Sequence, residues 1–518
     1  LLSPDLPPAD GQEMLSELGF KDPETAWKNI AHLREGPAFV HLSAKARIIL
    51  QKLGPRFLER ASRSPDPDRA LAHLDRFISS IGARTTFYSL LLENPGVMDE
   101  LIKVMGTSVF LSRDLIEHPE SLDILLSSEL SIPCKRKEDI LSAFLLEASS
   151  GKDYETKLDT IRRLKSQELF RIGMNDIAGA LTLRQVSNQM TFIAEAALEA
   201  AITLAKDELK ERYGECPTGS FSVIGLGKLG GRELIYGSDL DILFVYADSD
   251  DGRTTGPKEV SSHEYFVKLG QRIISVLTLR TKEGFVFNVD ARLRPSGSAG
   301  VLVVAEEALL KYHSGATQVW ERQALTKARA VAGDISFGKS VVKKLWDELY
   351  ARELGPADID EMLRIRGRME VEIAKEDATR YNVKTGKGGI VDCEFLVQAM
   401  QLKWGGVKKG LQTPYTLKAL SRLGADGLLS AEDRLSVKEA YSFMRSIETR
   451  QRIVHDRPEG YLYKATEELN ALARRLGYTG FDAGDKLLKA YAGHAERVRK
   501  IYLDTLSGLK GGHSATNP

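Results

Sequence analysis

The sequence predicts a mostly helical α+β protein in which one small mixed sheet lies between two long helical regions. Leu, Ala, Glu, Lys and Arg dominate the first 210 residues, and apolar residues recur three and four apart, as at Leu71, Leu74 and Phe77. This spacing is typical of amphipathic helices. Short runs of branched and aromatic residues follow between about residues 220 and 305 and predict strands. The helical pattern then returns from about residue 336 to about residue 506.

Proline-containing turns are expected to separate the N-terminal helices. The predicted breaks lie at Gly54-Pro55, at 64–67, at 94–96 and at Ile132-Pro133. A pair of long helices divided near Gly179 is expected between about residues 166 and 211. No motif repeats with a period of 20 to 50 residues, so a solenoid is not expected.

The central region contains four predicted strands, with one helix between the second and the third. The strands are expected at 221–225, 241–246, 285–290 and 300–305, and the helix at about 258–281. These changes of pattern predict five parts: an N-terminal helical linker region (1–125), a helical segment leading into the sheet (126–215), a catalytic core (216–335), a C-terminal helical bundle (336–510) and a disordered tail (511–518).

Charge and cysteine content argue against several classes of protein. The 72 basic residues equal the 72 acidic ones, which gives no support for sequence-independent nucleic-acid binding. Cys134, Cys216 and Cys393 are too widely spaced for a zinc motif or a disulfide framework. No apolar run reaches the ~18 residues of a membrane span, and the first residues lack a basic signal-peptide region. We therefore expect a cytoplasmic protein that binds neither nucleic acid nor membrane.

Glycines are concentrated between Gly225 and Asp241. Gly225, Gly227 and Gly230 fit the G-x-G-x-x-G dinucleotide fingerprint, which requires a following crossover helix. Only the 11 residues 228–238 separate Gly227 from Asp239, too few for that helix and its strand connections. A Walker motif is also excluded, because Lys228 is not followed by Ser or Thr.

The end of this segment predicts a metal site instead. A strand periodicity of two places Asp239 and Asp241 on one face. Two adjacent carboxylates are costly unless a cation lies between them, and oxygen ligands suit Mg²⁺ bound together with phosphates. Asp-x-Asp spacing occurs four times in the chain, but only this pair follows a Gly-Ser turn and enters an apolar strand.

A third carboxylate and two arginines follow on the third predicted strand. Asp290, Arg292 and Arg294 alternate along the chain and are predicted to share one strand face. By itself this pattern is typical of a surface ladder of opposite charges. Together with the Asp pair it predicts a site for metal and phosphate, because guanidinium groups bind phosphate oxygens in pairs.

Three motifs carry a resemblance to a known family: Gly227 to Asp241, Val289 to Gly297 and Gly388 to Gln398. The Gly-Ser-Asp-Leu-Asp strand with a later strand carboxylate is similar to the polymerase-beta-like nucleotidyltransferases. More narrowly, the three motifs in order resemble the bacterial glutamine synthetase adenylyltransferases, and weaker similarity extends over nearly the whole chain. Where the family usually has Ile, this chain has Cys393, which we interpret as a packing change.

The intact chain of that family has two related halves: one adds AMP to a tyrosine of glutamine synthetase and the other removes it by phosphorolysis. This chain has one copy of the signature. Its Gly-Ser-Asp-Leu-Asp form, with Val391-Asp392 in the third motif, looks like the adding, C-terminal half. The removing half more often carries Ser-Ser-Asp-Ile-Asp and Arg-Glu.

The resemblance implies a role for each motif residue. Asp239 and Asp241 would bind Mg²⁺, and Asp290 would complete the metal site or take the tyrosine proton. The triphosphate of ATP would be bound by Gly230, Gly231, Ser238, Lys228, Arg292 and Arg294. Glutamine synthetase is the implied partner, with a PII-type signalling protein and glutamine as effectors.

Three other functions are possible. A deadenylylating half is disfavoured by the form of the motifs, and a non-catalytic nucleotide-sensing module by the intact Asp239, Asp241 and Asp290. A nucleic-acid polymerase of the same superfamily is disfavoured by the balanced charge and by the lack of a basic and aromatic stripe.

Two segments outside the sheet region have more than one interpretation. Gly386 to Gly389 precede a helix, and this turn is either an anion-binding helix start or a tight turn. Asp392 and Glu394 could instead cap that helix, as acids in a first turn often do. The spacing of Arg445, Glu448 and Arg452 predicts a solvated, salt-bridged helix face, with a partner surface as the alternative.

Overall fold

The computed structural model describes residues 1, 3, 5–35, 43–82, 84–216, 219–247, 252–315, 317–455 and 460–511. The chain forms two compact units. The first consists of Leu1–Cys134, Ser166–Thr182 and Arg452–Asp456, and the second of Lys135–Lys165, Leu183–Gln451 and Arg457–Pro518. Apart from Gly511, the predicted tail 511–518 lies outside the described residues. The five predicted parts stay predictions.

The first seven helices belong to the first unit: α1 (Pro8–Glu17), α2 (Pro23–Glu35), α3 (Ala44–Ser62), α4 (Pro67–Ile81), α5 (Thr85–Glu93), α6 (Pro95–Thr107) and α7 (Val109–Glu117). Two 3₁₀ segments follow, at Pro119–Leu126 and Ser128–Ser131. Helix α4 confirms the prediction from apolar spacing, since Leu71, Leu74 and Phe77 are all buried. Asp66 caps this helix by accepting a hydrogen bond from the Arg69 amide at 3.1 Å.

The break predicted at Gly54-Pro55 is wrong, because α3 continues through Pro55. Proline in a helix interior costs ~3 kcal/mol, since it removes an amide donor and crowds the preceding turn. Leu50, Leu53 and Phe57 lie on the buried face of α3. Burying each side chain contributes about 1.5–3 kcal/mol, enough to outweigh the proline.

Two long helices confirm the predicted pair around Gly179: α9 (Tyr154–Ile177), which has residues in both units, and α10 (Leu183–Tyr213). Helix α8 (Lys137–Ala148) precedes them. The remaining helices are α11 (Gly227–Gly230), α12 (Ser262–Thr278), α13 (Glu306–Ser314), α14 (Val319–Leu325), α15 (Ile335–Ala351), α16 (Pro356–Met369), α17 (Ile390–Trp404), α18 (Thr416–Ala425), α19 (Ala431–His455), α20 (Glu467–Arg475) and α21 (Ala483–Lys510). Short 3₁₀ segments lie at Gly297–Ala299 and Lys409–Leu411, and a π-helical turn at Glu370–Ala374.

A five-stranded mixed sheet forms the centre of the second unit: β1 (Phe221–Gly225), β2 (Leu240–Tyr246), β3 (Val289–Asp290), β4 (Val303–Ala305) and β5 (Arg329–Gly333). The order is β3-β2-β1-β5, with β4 also paired to β2. Strand β1 runs antiparallel to β2 and β5, whereas β3 and β4 run parallel to β2. The first two predicted strands are confirmed. The third and fourth are shorter than predicted, and β5 was not predicted.

A second, two-stranded ribbon lies outside the main sheet and was also not predicted. In it β6 (Arg380–Asn382) pairs antiparallel with β7 (Tyr461–Tyr463). One continuous hydrophobic core joins the main sheet to the C-terminal helices, through residues such as Leu243, Leu345 and Met444. The shared core therefore packs the C-terminal helices against the sheet. Within the described part of the chain, no helix has the length and apolar character to cross a membrane.

Candidate active site

Two of the three predicted carboxylates lie side by side on neighbouring strands. The parallel register of β2 and β3 pairs Asp241 with Asp290, and paired residues of adjacent strands point to the same face of a sheet. Asp241 is half-buried, whereas Asp239, just before β2, is exposed. Asp241 lies against the Gly-rich turn, residues 225–231. A Cβ at Gly227 would lie 2.2 Å from Oδ2 of Asp241, so only glycine allows this carboxylate so close to the turn.

The ionised form of Asp241 is disfavoured by its surroundings. Burial, and then the charge of Asp290, raise the pKa of Asp241 to about 6; Asp239 adds to this, whereas Lys384 and Lys228 oppose it. A carboxylate held near like charges favours a bound cation, which would offset the repulsion.

Asp290 is held by Arg292. The Arg292 side chain donates from Nε at 3.0 Å and from Nη2 at 2.6 Å to the two oxygens of Asp290. The Arg292 amide also donates to Oδ1 of Asp290 at 2.9 Å. These hydrogen bonds hold the pKa of Asp290 below its usual value.

The hydrogen bond from the Arg292 amide to Asp290 closes an Asx turn, and this turn ends β3 at Asp290. The prediction that Arg292 and Arg294 share a strand face with Asp290 is therefore wrong, because both arginines follow the strand in a loop. Arg294 holds that loop, donating to the carbonyl oxygens of Ala291 at 2.5 Å and Gly300 at 3.2 Å.

Metal binding requires a rearrangement at Asp290. Among the described residues, no three carboxylate, imidazole or thiolate groups converge closely enough to hold an ion. Both oxygens of Asp290 face Arg292, whose side chain is 77% exposed and has room to turn away. The oxygen-only donors Asp239, Asp241 and Asp290 then fit a hard cation such as Mg²⁺.

Two amides of the Gly-rich turn donate hydrogen bonds to carbonyl oxygens of the same turn. The amide of Gly230 donates to Leu226 O at 2.8 Å, and that of Gly231 donates to Gly227 O at 3.1 Å. Ser238 Oγ accepts from the Ile235 amide at 3.1 Å, which leaves its hydroxyl hydrogen able to donate. Contacts of these three residues with a triphosphate stay predictions.

Lys228 belongs to a buried ion network formed by Lys228, Glu233, Lys327, Arg445 and Glu448. Lys228 Nζ lies 2.6 Å from Glu448 Oε1, and Lys327 Nζ lies 3.0 Å from Glu233 Oε2. Arg445 joins the two pairs, donating to the Glu448 carboxylate and to the Glu233 carbonyl oxygen. Burial lowers the pKa of Lys228 to about 8. The network fixes the Gly-rich turn to α19.

The predicted ion pair of Arg445 and Glu448 is present. The solvated or partner-binding face is wrong at these two residues, which are 3% and 4% exposed, and Arg452 is half-buried. Helical spacing from the buried Val437 and Tyr441 leads directly to Arg445 and Glu448, so these charges continue an apolar face. This continuous spacing was the sequence signal that could have predicted the burial of Arg445 and Glu448. Sequence reasoning also missed Glu233 and Lys327, which have no comparable local pattern.

The turn at 386–389 is a tight turn closed by its own helix. Asp392, on the first turn of α17, accepts from the Gly388 amide at 2.8 Å. This carboxylate is fully buried and also binds Arg366 and, at 3.1 Å, Arg499. The anion-binding interpretation therefore does not apply here, since Asp392 already occupies the helix start. Cys393 is buried beside it, as a packing role requires.

Comparison with known proteins shows that the paired carboxylates and the Gly-rich turn lie within a region that matches one protein family. Residues 98–344 match the family described as glutamate-ammonia ligase adenylyltransferase. A protein of Thioalkalivibrio sulfidiphilus named bifunctional glutamine synthetase adenylyltransferase/adenylyl-removing enzyme is 36% identical over 453 residues. This chain belongs to that adenylyltransferase family.

Further proteins of the same name are similar to this chain. Proteins of the same name from Nitrosococcus oceani and Pseudomonas aeruginosa are each 33% identical to this adenylyltransferase-family chain. The alignments cover 83–84% of this chain and 46% of each relative, so the chain spans about half of their length. Residues 363–506 match a second family, described as GlnD PII-uridylyltransferase.

Proposed function

We propose that this chain transfers AMP from ATP to a tyrosine of glutamine synthetase and releases pyrophosphate. The observation that carries the proposal is the pairing of Asp241 with Asp290 beside the Gly-rich turn, in a chain of the adenylyltransferase family. The direction, adding rather than removing AMP, is supported by the Gly-Ser-Asp-Leu-Asp and Val391-Asp392 forms of the motifs.

The carboxylates Asp239, Asp241 and Asp290 would hold Mg²⁺. Bound there, it would supply charge stabilisation for the attacking and leaving oxygens of an in-line displacement at the α-phosphorus. Arg292 holds the pKa of Asp290 below its usual value in the metal-free chain, and a cation bound in its place would also favour the ionised form. Asp290 is therefore a weak base in both states. Of its two predicted roles, metal binding therefore fits better than removal of the tyrosine proton.

Among the predicted phosphate-binding cations, Arg292 fits best. Lys228 is neutralised by Glu448, and Arg294 donates to loop carbonyl groups. Arg292 is mostly exposed, and when it turns from Asp290 its planar guanidinium can bind two phosphate oxygens. One movement would thus free a metal ligand and supply a triphosphate ligand.

A PII-type signalling protein is a proposed partner, supported by the match of 363–506 to a family described as GlnD PII-uridylyltransferase. Glutamine as an effector and a cytoplasmic location stay predictions from the resemblance and from composition.

The test is incubation of the chain with glutamine synthetase and Mg-ATP, followed by intact mass spectrometry. We expect one AMP adduct per synthetase subunit, located on a tyrosine by peptide mapping. The matched control is Asp241→Asn, which should give no adduct. Absence of an adduct with the unmodified chain would contradict the proposal and favour a removing half or a nucleotide-sensing module.

A further inference from the structure

Lys384 is a lysine of the C-terminal helical part that lies near the carboxylates of the sheet. It follows β6, whose partner strand β7 is bound to α19 by a 2.7 Å hydrogen bond from Gln451 Nε2 to the carbonyl oxygen of Tyr461. Gln451 is three residues beyond Glu448, so both lie on one side of α19. The β6–β7 ribbon, which Lys384 follows, is thus adjacent to the Glu448 end of the buried ion network.

From Glu448 the contacts lead directly to the carboxylates. Glu448 binds Lys228, and the next residue back, Gly227, lies beneath Oδ2 of Asp241. The positive charge of Lys384 opposes the rise in the pKa of Asp241 and adds to the lowering of the pKa of Lys228 and Glu448. The contacts through β7, Gln451 and Glu448 place the backbone of Lys384 on the same side of the second unit as the candidate active site.

The backbone around Lys384 is fixed on both sides. The amides of Lys384 and Thr385 donate to Oδ1 of the buried Asn382 at 3.1 and 2.9 Å. The Lys384 carbonyl oxygen accepts from the Val391 amide of α17 at 3.0 Å. Arg366 donates to the Gly386 carbonyl oxygen at 2.6 Å and steadies the rest of the turn. Because the backbone is already ordered, only the side chain of Lys384 loses conformational entropy when it binds a ligand.

The other cations near the carboxylates already have partners. Lys228 is paired with Glu448, and Arg292 with Asp290. Lys384 is exposed, and within the described ranges its ammonium group has neither a hydrogen bond nor an ion pair. It is therefore a charge available to an anionic ligand of this site.

We infer that Lys384 binds the triphosphate of ATP through a β- or γ-phosphate oxygen, so that the C-terminal helical part completes the active site. The inference rests on the proposed function. An ammonium group is a compact point charge with three donors, suited to a phosphate oxygen beside a bound cation.

The test measures nucleotide binding without glutamine synthetase. Calorimetry with saturating Mg²⁺ compares α,β-methylene-ATP with AMP, which lacks the β- and γ-phosphates. We expect Lys384→Gln to weaken binding of α,β-methylene-ATP about ten-fold or more, the usual effect of losing one charged hydrogen bond, and to leave AMP binding unchanged. Lys384→Arg should retain most of the affinity. Lys387→Gln, an exposed lysine of the same turn, is the matched control and should bind like the unmodified chain.

Three results would overturn the inference. Unchanged α,β-methylene-ATP binding by Lys384→Gln would remove the proposed contact and leave the proposed function untouched. An equal loss for AMP and α,β-methylene-ATP would also exclude a contact specific to the β- or γ-phosphate. Failure of the unmodified chain to bind Mg²⁺ with α,β-methylene-ATP would overturn both this inference and the proposed function. A matching thermal midpoint for all variants shows that the fold is retained.

Discussion

At the scale of single residues, Asp241 has an electrostatic conflict, because burial and the charge of Asp290 oppose its ionisation. Its pKa in the folded chain, about 6, is above the model-peptide value of 3.8. The folded chain therefore keeps a proton that the unfolded chain loses between these values, and stability falls as pH rises through this range. Above about pH 6, the ionised carboxylate of Asp241 lowers the free energy of unfolding by about 1–3 kcal/mol.

We predict that Asp241→Asn abolishes AMP transfer and yet stabilises the metal-free chain. The free energy of unfolding, measured by urea denaturation in EDTA, should exceed that of the unmodified chain by about 1–3 kcal/mol near pH 8, with no gain near pH 4. Asp239→Asn, at an exposed position, should also abolish transfer but leave stability unchanged. Lower stability of Asp241→Asn near pH 8 would contradict the electrostatic account.

Arg292 competes with a cation for Asp290, because its guanidinium group occupies both carboxylate oxygens. We predict that Arg292→Gln lowers the Mg²⁺ concentration for half-maximal transfer and reduces kcat/KM for ATP about ten-fold or more, since one charged phosphate contact is lost. Titration of Mg²⁺ at fixed ATP measures the Mg²⁺ requirement, and titration of ATP at saturating Mg²⁺ measures kcat/KM. Arg364→Gln, an exposed arginine on α16, is the control. A raised Mg²⁺ requirement would show that Arg292 does not compete for Asp290.

At the scale of elements, the turn before α17 positions Lys384, and among its glycines 386, 388 and 389 only Gly388 has a positive φ. Gly388 has φ +71°, and a Cβ there would lie 1.8 Å from the carbonyl oxygen of Ala495 on α21. We predict that Gly388→Ala destabilises the chain by about 2–4 kcal/mol, because backbone strain and a backbone clash add. Gly367→Ala, with open space in α16, should be neutral or stabilising by up to ~1 kcal/mol. Urea denaturation compares the two, and equal effects would contradict the prediction.

Local sequence patterns predicted the elements whose buried residues follow one another at regular spacing. Helix α4 and strands β1 and β2 follow from apolar spacing alone, since their buried faces are continuous in sequence. Pairing of distant segments was not predictable in this way. The β6–β7 ribbon joins residues about 80 positions apart, and the Lys228–Glu448 pair spans 220 positions. Strand β3 ends early because one side chain, Asp290, closes a turn that strand periodicity does not encode.

At the scale of the whole molecule, the proposed active site combines the sheet with the C-terminal helices. Their hydrophobic core is continuous, and the buried ion network fixes the Gly-rich turn to α19. The sequence motifs predicted the carboxylates on the sheet but gave no sign of Lys384, in the turn before α17. The resemblance indicated candidate reacting groups, whereas the shared core explains how a distant segment would reach them.

The one signature in this chain determines which reactions we expect from it. Adding AMP to tyrosine and reversing that step with pyrophosphate use the same residues and in-line geometry, because both are directions of one displacement. Phosphate-dependent removal belongs, by the resemblance, to the other half of the family's chain. We predict that adenylylated glutamine synthetase incubated with this chain yields ATP with pyrophosphate and no ADP with phosphate. Chromatography follows the two nucleotides separately, and Asp241→Asn should form neither. Rapid formation of ADP with phosphate would show that this chain is the removing half.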